Sequence, residues 1–144
     1  MSGLRSVELA PGADQNGFAV MISELVKQNV IDHPEKARDL ARLRGRVAIV
    51  VEDARVAITL DCRGAGVDVH NGIVGIPDLT IRASSDEITR MSLIELLPRV
   101  GLPDPRGPVT REIAKASREG KIRVFGALAN APTMLRLTRL LSVN

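Results

Sequence analysis

Few side chains in this sequence are equipped for chemistry, and they stand apart from one another. The chain holds two histidines, His33 and His70, and one cysteine, Cys62. His33 precedes Pro34 at a helix start, a surface setting. His70 falls on the polar side of an alternating stretch, beside a turn, and Cys62 falls on the apolar side of the stretch before it. A buried structural thiol fits that register, because a nucleophile needs a nearby base and a positive setting. A hairpin could still bring Cys62 to His70, which keeps one enzymatic alternative open. Glu52 and Asp53 are neighbours in a turn and read as solvated carboxylates rather than a catalytic pair. No H-x-x-x-H or C-x-x-C spacing occurs, so no metal set is expected. Gly64-Ala65-Gly66 lacks the later glycine and the following helix of a dinucleotide-binding loop. The expectation is a non-enzymatic protein with no catalytic residue, no cofactor and no metal.

Composition narrows the classes. Of 144 residues, 44% are hydrophobic and 26% charged, ordinary values for one globular domain. One cysteine excludes a disulfide scaffold. No apolar run approaches about 18 residues, and the N-terminus lacks a signal-peptide layout, so a cytoplasmic protein is expected. Aromatic residues are 1%, namely Phe18 and Phe125, so Val, Ile, Leu, Met and Ala must fill the interior. The net charge of +3 is uneven, with −3 over residues 1–96 and +6 over 97–144. A basic half attracts anionic partners. Nucleic acid is not expected, since the stacking aromatics of single-strand binders and the helix-turn-helix or zinc-finger spacings are missing.

The elements that must position any site follow from periodicity. Residues 1–16 read as a flexible N-terminal tail and 17–144 as a single domain. Phe18, Met21, Ile22 and Leu25 repeat at helical spacing. Asp32-His33-Pro34-Glu35 reads as a capped start for a second short helix, ended by Gly45. Arg46–Glu52 is apolar on both faces, the mark of a central strand. Val56–Cys62, Val67–His70 and a strand opened by Pro77-Asp78 alternate with period two. Ser84 to Glu87 fits a capping box, with a helix to Leu97. The stretch 97–119 is a Pro-rich insertion ending in a short helix. Lys121–Leu128 reads as a fifth strand, and Ala131–Val143 as a last helix with a broad apolar face beside Arg136 and Arg139. The fold class is therefore α+β: a five-stranded mixed sheet with an antiparallel meander, helices packed mainly on one face.

From His33 onward the chain resembles the sterol carrier protein 2 family of lipid-transfer domains. The resemblance is carried by His33-Pro34-Glu35, by Leu43-Arg44-Gly45-Arg46-Val47 entering the first strand, and by Ala57-Ile58-Thr59-Leu60-Asp61. It continues through Pro77-Asp78-Leu79-Thr80-Ile81, Ser84-Ser85-Asp86-Glu87 and Gly120-Lys121-Ile122-Arg123-Val124-Phe125-Gly126. Two departures are visible. Val56-Ala57-Ile58 stands where the family's second strand often carries an aromatic, and 97–119 exceeds the usual link.

The resemblance implies binding or transfer of a hydrophobic ligand (a sterol, fatty acyl chain, acyl-CoA or similar lipid) in an apolar tunnel between sheet and helices. An accessory role, presenting a lipid or quinone substrate to a partner enzyme, is the alternative. The expected lipid-binding walls are Leu79, Ile81, Ile88, Met91, Ile122, Val124, Met134, Leu137 and Leu141, around a pocket of roughly 300–1,000 Å³. The expected partners are a lipid or other apolar small molecule, a partner enzyme, and a membrane touched transiently through the last helix.

Overall fold

A computed structural model describes residues 6–64 and 66–144. The strands are β1 (Ser6–Leu9), β2 (Arg44–Val51), β3 (Val56–Arg63), β4 (Gly66–Asn71), β5 (Leu79–Ala83) and β6 (Arg123–Phe125). The helices are α1 (Gly17–Asp32), α2 (Lys36–Arg42), α3 (Ser85–Met91), α4 (Pro108–Arg118) and α5 (Ala131–Leu141). One mixed sheet runs in the order β1-β4-β3-β2-β5-β6. The α+β class and the β2-β3-β4 antiparallel meander stand as expected.

The sheet has six strands rather than five. The extra strand is β1, so the expected flexible tail is corrected over its described part. Val7 and Leu9 pair in parallel with Val67 and Val69, and Ala10 continues the ladder by donating to the Val69 carbonyl at 2.9 Å. Residues 1–5 of that tail, and Ala65 in the β3–β4 turn, lie outside the described residues. A four-residue strand with no turn signal beside it is stabilised by long-range pairing, which local alternation does not reveal.

Cross-strand partners share a face. Val47, Ile49, Val51, Ile58, Leu60, Cys62, Val67, Val69, Leu79, Ile81 and Ala83 all point to the helix side and are buried. The opposite face carries Arg46, Asp61, His70, Arg82 and Arg123, together with Ala48 and Thr59, which are also fully buried. The β4–β5 connection covers these two. It crosses that face as a strap pinned at Thr59, whose hydroxyl donates to the Gly72 carbonyl at 2.8 Å and accepts from Val74 N–H at 3.0 Å.

Helix ends show where local signals governed. Asn16 caps α1 by accepting from Phe18 and Ala19 N–H, while its amide donates to Asn71 and the Ala57 carbonyl. The expected Asp32–Glu35 cap is not formed: Asp32 is the last residue of α1, and α2 begins after Glu35 without a side-chain cap. Nor does Gly45 end α2, which stops at Arg42; Gly45 lies in β2 against Asp78. Ser84 does cap α3, accepting from Glu87 N–H at 3.3 Å. Asp53 adds a second anchor there, taking the Ser85 N–H at 2.8 Å and hydroxyl at 2.6 Å, so it is not merely solvated. Glu52 likewise meets Arg123 at 2.6 Å. The helix ends at Met91, short of Leu97, because Ser92 and Ile94 turn their carbonyls to Val143 N–H and the Ser142 hydroxyl after α5. At α4, Glu95 caps from a distance, accepting Val109 N–H at 3.1 Å and Thr110 N–H at 3.0 Å. Gly107 permits that approach, since a Cβ there would stand 2.2 Å from the Glu95 carboxylate.

Candidate functional site

Among the described residues, two apolar hollows lie between sheet and helices. The first lies between β5, α3 and α5 and is lined by Ile81, Met91, Ile94, Met134, Leu137, Thr138 and Leu141. The second lies between β2, β5, α1 and α3 and is lined by Ile22, Leu25, Ile49, Ile81, Ile88, Met91, Ser92 and Leu141. Ile81, Met91 and Leu141 form a wall common to both. Among the described residues, no titratable side chain lines either one. The hollows measure about 10 and 20 Å³, space for roughly one water each. The expected tunnel of lipid size is therefore not open in this conformation. The side chains meant to line it interdigitate instead, because a gap between apolar walls forfeits dispersion contacts.

Six of the nine expected wall residues reach the hollows: Ile81, Ile88, Met91, Met134, Leu137 and Leu141. Three do not. Leu79 is fully buried in β5 without facing them, and Ile122 is buried just before β6. Val124 pairs with Ile81 and is half-buried at the sheet edge. Ile22, Leu25, Ile49 and Ile94 were missed as walls. For Ile22 and Leu25 the helical spacing is the available signal: with Phe18 they do pack against the core, and only Met21 of that set turns outward. The buried stripe is Ala19, Ile22, Ser23, Val26 and Asn29, whereas Met21 is 46% exposed. Ser23 and Asn29 can be inside because their side chains donate to the carbonyls of Val20 and Leu140, each at 2.9 Å.

The last helix packs rather than presenting its apolar face. Leu137, Leu140 and Leu141 are buried, and Arg139 is not a free surface arginine. It forms a forked pair with Asp39 of α2, with nitrogen–oxygen distances of 2.7 and 3.1 Å. Among the described helices, none is long and apolar enough to cross a membrane.

The Cys62–His70 pair fails on geometry. Cys62 sits on the helix side of β3, opposite Val67, whereas His70 pairs with Thr59 on the other face of the sheet. Burial, reinforced by the neighbouring Asp61 charge, pushes the Cys62 thiol up to about 12. Such a thiol supplies no nucleophile at neutral pH. Among the described residues, no cluster of three or more His, Cys, Asp or Glu could hold a metal ion.

A helix-backed mixed sheet with an uncharged apolar seam defines a two-layer α+β domain. The chain belongs to the SCP-2 sterol transfer family, whose model matches residues 22–98. That match stops short of the 120–126 segment on which the sequence resemblance also leaned. No curated protein matches the chain. Solved structures that share the fold include the following three. One is a UbiJ-SCP2 ubiquinone synthesis protein, 17% identical, covering 90% of this chain and 99% of that one, with a TM-score of 0.61. A sterol carrier protein 2 crystal structure is 16% identical, covering 83% and 90%, with a TM-score of 0.51. A conserved hypothetical protein from Thermus thermophilus, described as a sterol carrier protein candidate, is 14% identical, covering 97% and 92%, with a TM-score of 0.50.

Proposed function

We propose that this protein binds an apolar chain between the helix side of the sheet and helices α1, α3 and α5, without chemical conversion of it. The observation that carries the reading is the common wall of the two hollows. Ile81, Met91 and Leu141 border both, and among the described residues no charged group lines either. Met91 and Met134 are half-buried, and the unbranched thioether repacks readily against ligands of different shape. In this reading a change of Met91 rotamer would join the two spaces, the ligand making its own room. Burial of ligand surface, worth about 25 cal/mol per Å², supplies the binding energy without any fixed polar motif. Membership in a sterol transfer family supports a sterol or acyl chain as the guest.

Native mass spectrometry of the purified protein, followed by organic extraction, tests this. The expected result is a bound lipid, or uptake of an added fatty acid or sterol with a raised melting temperature. Absence of bound lipid together with no shift from any acyl or sterol ligand contradicts it.

A second reading is an accessory domain that presents a lipid or quinone substrate to a partner enzyme. Its support is the near-complete mutual coverage with the ubiquinone synthesis protein. Co-purification of a tagged chain with an enzyme that acts on a prenylated or acylated substrate tests that version.

A further inference from the structure

The polar corner where α2 meets the end of α5 holds the larger opening. A cavity of about 270 Å³ lies there, bounded by Glu35, Lys36 and Asp39 of the α2 region, Arg99 and Gly101 of the loop between α3 and α4, and Arg139 of α5. Arg139 is paired with Asp39, but the cavity's cations keep spare N–H donors. Lys36 is only 3% exposed, yet its ammonium has a single protein acceptor among the described residues, the Ser142 carbonyl. An ammonium carries three N–H donors, so two remain. Arg139 gives Nε and one terminal nitrogen to Asp39, leaving its second terminal nitrogen without a protein acceptor among the described residues. Arg99 is exposed and makes no ion pair among the described residues. It holds a left-handed backbone, φ 73°, in the loop that walls the cavity. That conformation is costly for a residue with a Cβ and clusters at functional sites.

The acidic side is weaker. Both Asp39 oxygens are committed to Arg139. The Glu35 side chain is 70% exposed and stands 3.7 Å from His33. A second polar cleft, between α3 and α4, makes the contrast. Its volume is similar, about 260 Å³, but its charges are balanced and solvated: Arg90 meets Glu112 at 3.6 Å and Lys121 meets Glu119 at 3.4 Å. Of these two clefts, the α2–α5 corner alone combines a buried, under-bonded ammonium with two arginines.

We propose that this corner binds a small oxyanion, a phosphate or carboxylate group, through Lys36, Arg139 and Arg99. The group would accept the spare N–H donors of Lys36 and Arg139, with Arg99 closing from the loop. Burial lowers the Lys36 pKa, partly opposed by the Glu35 and Asp39 charges. A bound anion relieves that cost by pairing the ammonium. The proposal does not require the apolar reading. The polar corner and the first hollow are nevertheless close along the chain, since Ile94 lines one and Leu96 and Leu97 line the other.

The test uses the full chain, backbone NMR and two probes, inorganic phosphate and dodecyl phosphate. Saturable phosphate shifts confined to 35–39, 96–101 and 139–144 are expected. Lys36→Met should weaken phosphate binding about tenfold, the loss expected for one charge-assisted hydrogen bond. Because Lys36 also holds the chain after α5, Arg99→Gly serves as a second variant. It removes a charge and relieves the left-handed strain, so it should weaken phosphate several-fold without lowering the melting temperature. Dodecyl phosphate binding more tightly, with shifts reaching Met91 and Met134, identifies the anion as an amphiphile's head. Equal binding of both probes identifies a free oxyanion. Phosphate shifts that never saturate, or Arg99→Gly binding as the parent does, overturn the proposal.

Discussion

The apolar seam and the polar corner lie on neighbouring parts of α5, yet one is nearly closed and the other open. The seam keeps about 10 and 20 Å³ in its two hollows, and the corner keeps about 270 Å³. Both are bounded by long, flexible side chains, so flexibility does not explain the difference. Apolar walls gain dispersion contacts by meeting each other. Charged walls lose solvation by doing the same. Cavity size in this fold therefore reports polarity rather than capacity. An apolar ligand must open its own space, whereas an oxyanion meets a space already held apart.

The largest expected effect tests whether the seam is a true core. Leu137 is 1% exposed and faces the first hollow. Leu137→Ala should cost about 3 kcal/mol in urea unfolding, and a loss below about 1 kcal/mol would mean that the seam is loosely packed in solution. Next comes the corner. The side chains of Arg139 and Asp39 are 23% and 13% exposed, between the surface and buried regimes. Arg139→Ala should cost about 2 kcal/mol, and a double-mutant cycle with Asp39→Ala should show clear coupling. Additive losses would remove the pair from the account.

Met91→Ala sharpens the contrast more gently. It should cost about 1 kcal/mol, since the side chain is only half-buried, but it should join the hollows and strengthen binding of an apolar fluorescent probe. Unchanged probe binding would argue against a common wall. The smallest effect is on acid stability at the start of α3. Hydrogen bonds from Ser85 hold the exposed Asp53 carboxyl below its ordinary value. A depressed carboxylate contributes stability above its unfolded-state pKa and loses it as pH falls through the folded value. Asp53→Asn should therefore flatten the melting temperature below about pH 4, while leaving the seam and corner unchanged.

Much of this was legible in the sequence where the signal is local. The Ser84 cap, the β2–β5 strands and the five helical segments follow from spacing and breakers within a few residues. What escaped depends on distant partners. β1 needs β4, some sixty residues on, to become a strand. Glu95 caps a helix across an intervening loop, and Asn29 enters the core only because the Leu140 carbonyl is there to meet it. The polar corner was invisible for the same reason: Lys36, Arg99 and Arg139 converge only through the fold. The apolar walls were readable as apolar, and six of nine line the seam. Their closure was not, because alternation tells which side chains face inward and says nothing about the space left between them.

Four methionines make the decisive experiment simple. With methyl-labelled methionine, titration of oleate should move the Met91 and Met134 methyl resonances saturably and leave Met21, on the exposed side of α1, in place. Resonances of Met91 and Met134 that stay fixed while oleate is present, or a shift of all methionines alike, would contradict an apolar guest seated between sheet and helices.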